Sequence, residues 1–303
     1  MNNDQLQRYT FPDASVRGEL VQLSDSYARL VGSHNYPLPV RQLLGELVAA
    51  ATLLTATLKF KGEISLQIQS EGLIKYAVVD ATDKQQVRGI ARWDENVESW
   101  PENFTDLFHK GVLAITITPA KGERYQGLVG LTQTTLAECL EDYFTQSEQL
   151  PTKVKLFTSA NSEAPKAAGL LLQVLPRDAS ATDLTQHRAF NDLSVLTDTM
   201  TESEILTLDA KTVMHRLYHE YDIELFAAQP VEFKCTCSRE RSANALQNID
   251  KQELLAVIAE EGQIKMDCQY CHAQYMFDAL DVESIHAGFV ASVNSDSNTK
   301  NLS

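Results

Sequence analysis

The sequence predicts an α+β protein in parts. An N-terminal mixed domain of antiparallel hairpins and helices is expected over 1–178 and a metastable helical linker over 179–231. A small cysteine-bearing C-terminal domain over 232–287 and a disordered tail over 288–303 complete it. Three observations lead there. Residues 1–178 alternate helical and strand periodicities, with turn residues between the strand runs. Residues 179–231 hold nine acidic and three basic side chains among short apolar helical patterns. Four of the five cysteines crowd the last quarter as two tight pairs.

Taken in order, Ser15–Leu30 and Leu38–Leu58 show helical apolar spacing, and Pro39 is tolerated in a first turn. Glu63–Gln69 alternates through Ile64, Leu66 and Ile68, and Glu71-Gly72 turns the chain into Leu73–Val79. Val112–Thr118 and Arg124–Leu131 predict a second hairpin around Lys121-Gly122. Thr134–Gln149 reads as a helix that stops before Pro151, and Val154–Thr158 and Gly169–Leu175 read as short strands. In the linker, Thr201-x-x-Glu204 has a capping-box pattern and Asp209 caps a helix through Tyr218. Helices this short are marginal alone and need a surface to bury their apolar stripe. Farther on, Asp250-x-x-Glu253 opens a helix that Gly262 ends, and Ile264–Met266 reads as a strand entering the second cysteine pair.

The chain of 303 residues carries 41 acidic against 26 basic side chains, a net charge of −15. That disfavours nucleic acid and anionic membrane as electrostatically steered partners. The longest apolar stretch, Leu47–Leu58, is too short to span a bilayer. The N-terminal residues show no basic leader followed by an apolar region, so a reducing cytoplasm is expected. There, paired cysteines are metal-bound or redox-sensing rather than structural disulfides. Cys139, alone in Thr134–Phe144, reads as a buried helix residue.

Cys235-Thr236-Cys237 and Cys268-Gln269-Tyr270-Cys271, thirty residues apart, predict a four-thiolate site for one tetrahedral Zn²⁺. A plain structural zinc knuckle, serving as a protein-binding module without redox gating, is one reading. The other uses the same thiolates as the form that oxidants attack, each with a neighbour one or two residues away. Oxidation to local disulfides would destroy the ligand set. Small zinc sites contribute about 10–16 kcal/mol of apparent binding energy, against about 5–15 kcal/mol for a whole domain. Disulfides closing such tiny loops restore little of that constraint. The small module therefore reads as a candidate oxidant-driven order–disorder switch.

Other motifs carry less. His215 and His219 share a helix face but lack a third ligand, and His272 follows a site already filled by four thiolates. No phosphate-binding glycine pattern, nucleophile elbow or thioredoxin-like context is present, so no catalytic residue is assigned and the chain is not expected to be an enzyme.

The run Val231-Glu232-Phe233-Lys234-Cys235-Thr236-Cys237-Ser238-Arg239-Glu240-Arg241, followed by the second pair, resembles the bacterial 33 kDa chaperonin, the redox-regulated heat-shock holdase family. Val16–Leu20, Glu123–Gly127, Glu141–Phe144 with Ser147–Thr152, Gly169–Gln173 and Arg216–Glu220 agree in order, so the resemblance covers residues 4–287. It departs at Ala168, where the first of two glycines is expected; a positive φ there would be strained.

The resemblance implies an ATP-independent chaperone, inactive when reduced and zinc-bound. It implies that peroxide with heat, or hypochlorite, forms the Cys235–Cys237 and Cys268–Cys271 disulfides, with loss of zinc, unfolding of the module and loss of support for the linker. The oxidised form is expected to be a homodimer holding unfolding client proteins. Leu193, Val195, Leu196, Ile205, Leu206, Leu208, Val213, Leu217 and Tyr218 of the linker are the candidate client-binding residues. In the resting state the same residues are expected to pack as core on the N-terminal domain.

Overall fold

A computed structural model describes residues 4–160, 163–175 and 183–288. The chain divides into two compact units, Met1–Lys234 and Cys235–Ser303. The expected tail beyond Gly288 and the expected boundary near 178 lie outside the described residues.

The first unit is built on two sheets. In one, β1 (Gln5–Phe11), β2 (Val16–Leu23), β9 (Lys166–Val174) and β8 (Thr152–Ser159) pair antiparallel in that order. The two-residue strands β10 (Glu224–Leu225) and β11 (Gln229–Pro230) pair with the free edge of β1. In the other sheet, β5 (Gln86–Trp93), β4 (Ile74–Thr82), β3 (Gly62–Gln69), β6 (Val112–Pro119) and β7 (Tyr125–Gly130) run antiparallel in spatial order. Parallel to the β5 edge lies β12 (Glu232–Phe233).

Helix α1 (Asp25–Gly32) is followed by α2 (Leu38–Thr55), which packs against strands of both sheets. Its apolar length would suffice to cross a membrane, but it is largely buried as the core helix of this unit. Pro39 sits in its first turn, as its fixed φ allows. The strand β3 has the expected alternation, with Ile64, Leu66 and Ile68 buried and Glu63 and Gln69 exposed.

Two expectations are corrected. Ser15–Leu30 is not one helix: Val16–Leu23 is a strand and only Asp25–Gly32 is helical. As a central strand, β2 buries Val16 and Leu20 on one face and Val21 and Leu23 on the other, so no alternation survives. Thr134–Gln149 is helical in two pieces, α3 (Leu136–Tyr143) and a single π turn at Phe144–Glu148, ended by Gln149 at φ 53°. Ala168 is an ordinary fully buried strand residue opposite Gln22 and Phe157 and is absent from the positive-φ residues, so the strain question does not arise.

The helices expected between 179 and 231 are α4 (Asp183–Asp198), α5 (Glu202–Thr207) and α6 (Ala210–Tyr218). Thr201 accepts from the Glu204 backbone N–H, and Asp209 from that of Thr212. They lie in the first unit, covering the face of its first sheet formed by Tyr9, Phe11, Val16, Leu20, Leu170 and Leu172. Tyr9 reaches that face because it stands opposite Gly18, where a Cβ would lie 2.2 Å from its ring.

The second unit holds α7 (Arg239–Leu246), α8 (Lys251–Glu261), a hairpin of β13 (Ile264–Asp267) and β14 (Gln274–Phe277), and α9 (Ala279–His286). Asp250 caps α8, and Gly262 ends it at φ 83°. Its core is small, with seven buried residues: Ala243, Leu246, Leu254, Ile264, Phe277, Val282 and Ile285.

Candidate metal centre

The two cysteine pairs reach one place by different local means. The second pair sits in the turn of the β13–β14 hairpin. Cys268 N–H donates to the Ala273 carbonyl (2.9 Å) and His272 N–H to the Cys268 carbonyl (2.8 Å), with His272 in the left-handed region at φ 56°. The first pair is the extended lead into α7. Ser238 caps that helix by accepting from Arg241 N–H, and the Arg241 guanidinium turns back to Thr236 Oγ1 (2.7 Å).

Arg239 ties α7 to the hairpin and to α9. Its guanidinium lies over the Phe277 ring (4.4 Å to the centroid), pairs with Asp281 (2.6 Å) and donates to the Met276 carbonyl. Tyr275 on β14 donates its hydroxyl to Cys237 Sγ at 3.1 Å. Neither residue was singled out from sequence. The tyrosine's signal was its place in a short alternating strand just after the second pair.

All four Sγ atoms lie within 4.8 Å of one another, each half-buried. The cross-loop distances are 3.6 Å for Cys235 to Cys268 and 3.5 Å for Cys237 to Cys271. Four sulfurs around Zn²⁺ at about 2.3 Å would stand about 3.8 Å apart in a tetrahedron. A disulfide would need about 2.05 Å, and all five cysteines are free thiols. The donor set and its spacing fit a tetrahedral thiolate-bound metal. Among the described residues no other group of three or more ligand types converges this way.

The thiols are not equivalent. Burial raises Cys268, but backbone N–H groups of Tyr270 and Cys271 and the neighbouring thiols outweigh it, leaving the pKa below its ordinary value. Burial pushes Cys235 and Cys271 up, and both stand above the ordinary thiol value. Cys139 lies elsewhere, fully buried on α3, with burial raising its pKa.

His215 on α6 and His219 at its C-cap stand side by side, ring centroids 5.8 Å apart, and among the described residues no third ligand joins them. The candidate client-binding residues are remote in sequence from the cysteines and are packed away. Leu193, Ile205, Val213, Leu217 and Tyr218 are buried in the α4–α6 core, and Leu196, Leu206 and Leu208 are half-buried against it. Only Val195 faces solvent, at 65% exposure.

Side chains from the sheet hold this helical layer. Gln22 Nε2 donates to the carbonyls of Ile205 (2.6 Å) and Leu208 (2.7 Å), and Lys166 Nζ to that of Leu206 (2.9 Å). Lys153 and Lys155 both meet Asp198 at the end of α4, at 3.0 and 3.3 Å.

Comparison with known proteins follows the same outline. The family model described as Hsp33 protein matches residues 4–278. A 33 kDa chaperonin of Pseudoalteromonas atlantica is 53% identical over 291 residues, 96% of this chain and 98% of that protein. One from Shewanella oneidensis is 50% identical over 293 residues, covering 96% and 99%. The crystal structure of a 33 kDa chaperonin from Thermotoga maritima shares the fold, with a TM-score of 0.77 at 23% identity over 95% of this chain and 99% of that one.

Proposed function

The chain belongs to the Hsp33 protein family, and from that premise we propose that it is an ATP-independent holdase gated by the redox state of its four clustered cysteines. The observation that carries this reading is the quartet itself: four free thiols within 4.8 Å, in a unit whose described residues bury a core cluster of seven.

Cys235, Cys237, Cys268 and Cys271 would hold one Zn²⁺, which supplies a crosslink among thiolates and a large share of the unit's stability. Peroxide takes two electrons from each neighbouring pair. Two thiolates become one disulfide while the oxidant and two protons become two waters. The Cys235–Cys237 and Cys268–Cys271 disulfides leave no thiolate to ligate metal, and the loops they close are too short to replace the lost constraint. A core of seven residues does not hold the unit folded alone.

Loss of that unit releases the chain that follows β12, and α4–α6 upstream then undock from the first sheet. Undocking of these helices presents Leu193, Leu196, Ile205, Leu206, Leu208, Val213 and Leu217 to unfolding proteins. The activated form is a homodimer working in the cytoplasm, binding rather than catalysing, with neither nucleic acid nor membrane as a partner.

The test is to treat reduced, zinc-loaded protein with peroxide at elevated temperature, map its disulfides by mass spectrometry, and follow light scattering of a thermally unfolding client. Two next-neighbour disulfides together with suppressed scattering support the proposal. Oxidised cysteines with unchanged client aggregation would leave only a structural metal module.

A further inference from the structure

A cavity of about 370 Å³ opens on the first unit between the end of α2, the β3 and β6 strands and the π turn after α3. Leu54, Ile64, Ile115, Ile117, Phe144 and Leu175 make its apolar walls. This is within the size range of pockets that enclose small organic ligands. None of these residues belongs to the cysteine quartet or to the α4–α6 layer.

Two features set it apart from a packing defect. The wall contributed by Phe144–Glu148 is a π turn that passes into a left-handed Gln149, a costly local backbone of the kind retained where it shapes a site. The cavity also carries unbalanced charge. Half-buried Arg17 lines it; its hydrogen bonds go to neutral acceptors, the Thr57 carbonyl (3.4 Å) and Gln173 Oε1 (2.5 Å), and the charge it feels comes from buried Glu19 farther along β2. Lys59 stands exposed at the cavity, and among the described residues no carboxylate lies within ion-pair distance of either cation. The one acid in the lining, exposed Glu148, already accepts from the Tyr143 hydroxyl at 3.0 Å.

We propose that this cavity binds a small amphiphile with an apolar tail and a carboxylate head, the tail between Ile64, Ile115, Ile117 and Phe144 and the head between Arg17 and Lys59. A half-buried cation with no carboxylate in hydrogen-bond contact gains from an anion that arrives with its own apolar tail. The volume admits about twelve groups of roughly 30 Å³ each, so a saturated chain of about eight to twelve carbons fits.

The test uses the reduced, metal-loaded full chain and calorimetric titration with sodium decanoate. One-to-one saturable binding is expected, weakening about 15-fold for octanoate from the loss of two buried methylenes. Decanol should bind at least 10-fold more weakly than decanoate. Lys59→Gln, on an exposed side chain, and Arg17→Gln should each weaken decanoate and leave decanol unchanged. Ile117→Trp, which fills the cavity, should abolish both, with thermal unfolding by tryptophan fluorescence showing that each variant folds. Decanol binding as tightly as decanoate would overturn the proposal, as would decanoate uptake only where it self-associates. Stoichiometric displacement by an apolar peptide would assign the cavity to protein segments instead and equally overturn it.

Discussion

Replacing Gln22 by leucine removes two of the three side-chain hydrogen bonds that fasten the end of α5 to the first sheet, leaving that of Lys166 to Leu206. Both amide protons of Gln22 are used, on Ile205 and Leu208, and the side chain is 9% exposed. These carbonyls sit at a helix terminus, where no intrahelical donor is available, so the substitution leaves two poorly hydrated acceptors unpaired. At about 1–3 kcal/mol each, with Leu208 only partly buried, the cost is about 2–4 kcal/mol. The six residues of α5 cannot absorb it, because a helix that short is marginal without its docking surface. Undocking of α4–α6 should rise roughly 30-fold to several hundred-fold. Hydrogen exchange of peptides spanning 201–218 in reduced, metal-loaded protein reads this directly. Protection there should fall by that factor while β3 and β4 keep theirs, and client aggregation should be suppressed without oxidant at a lower temperature than for the parent. Exchange in 201–218 within threefold of the parent would refute the claim that Gln22 fastens the layer.

Cys235→Ser and Cys268→Ser should each lower zinc content and make the second unit protease-sensitive, whereas Cys139→Ser, in the core of α3, should leave redox gating intact; atomic absorption and limited proteolysis compare the three. Fully buried Glu19 has its pKa raised to about 7 by burial, which Arg17 and Arg8 only partly offset. The folded state therefore disfavours its charged form. Stability should fall by up to about 3 kcal/mol as pH rises from about 4.5 to 7 and stay low above it, with half-buried Glu46 acting in the same direction. Glu19→Gln should flatten that slope, measured by urea unfolding with Trp93 and Trp100, both outside the cysteine unit. Gly18→Ala should cost about 1–3 kcal/mol by the same assay, since its methyl would displace the Tyr9 ring that packs on Phe11 and Tyr218.

Legibility in the sequence followed local physics. The strand β3 was readable because one face carries Ile64, Leu66 and Ile68 and the other polar side chains, so its period of two survived. Central β2 was misread because α4–α6 bury one of its faces and the core the other, a fact that resides in distant sequence. The strand β5 went unassigned for a related reason: Val87, Gly89, Ile90 and Ala91 are all buried and form no alternation. Caps at Thr201, Asp209 and Asp250 were legible because each acts within three residues of its partner. The same holds at the candidate metal centre. Ligand type and spacing announced the quartet, while the β13–β14 hairpin that aims it, the Arg239 tie and the Tyr275 donor depend on register and tertiary approach. Gln22 was invisible for the extreme form of that reason, its partners lying 183 and 186 residues away.

Metal release and chaperone activity, followed in one sample during peroxide treatment at elevated temperature, test the central claim most directly. A colorimetric chelator reports zinc and light scattering reports a thermally unfolding client. The redox-gated reading predicts that zinc appears and scattering falls together, and that dithiol with restored zinc reverses both. Zinc that stays bound while oxidant is consumed, or leaves without any change in scattering, would contradict it.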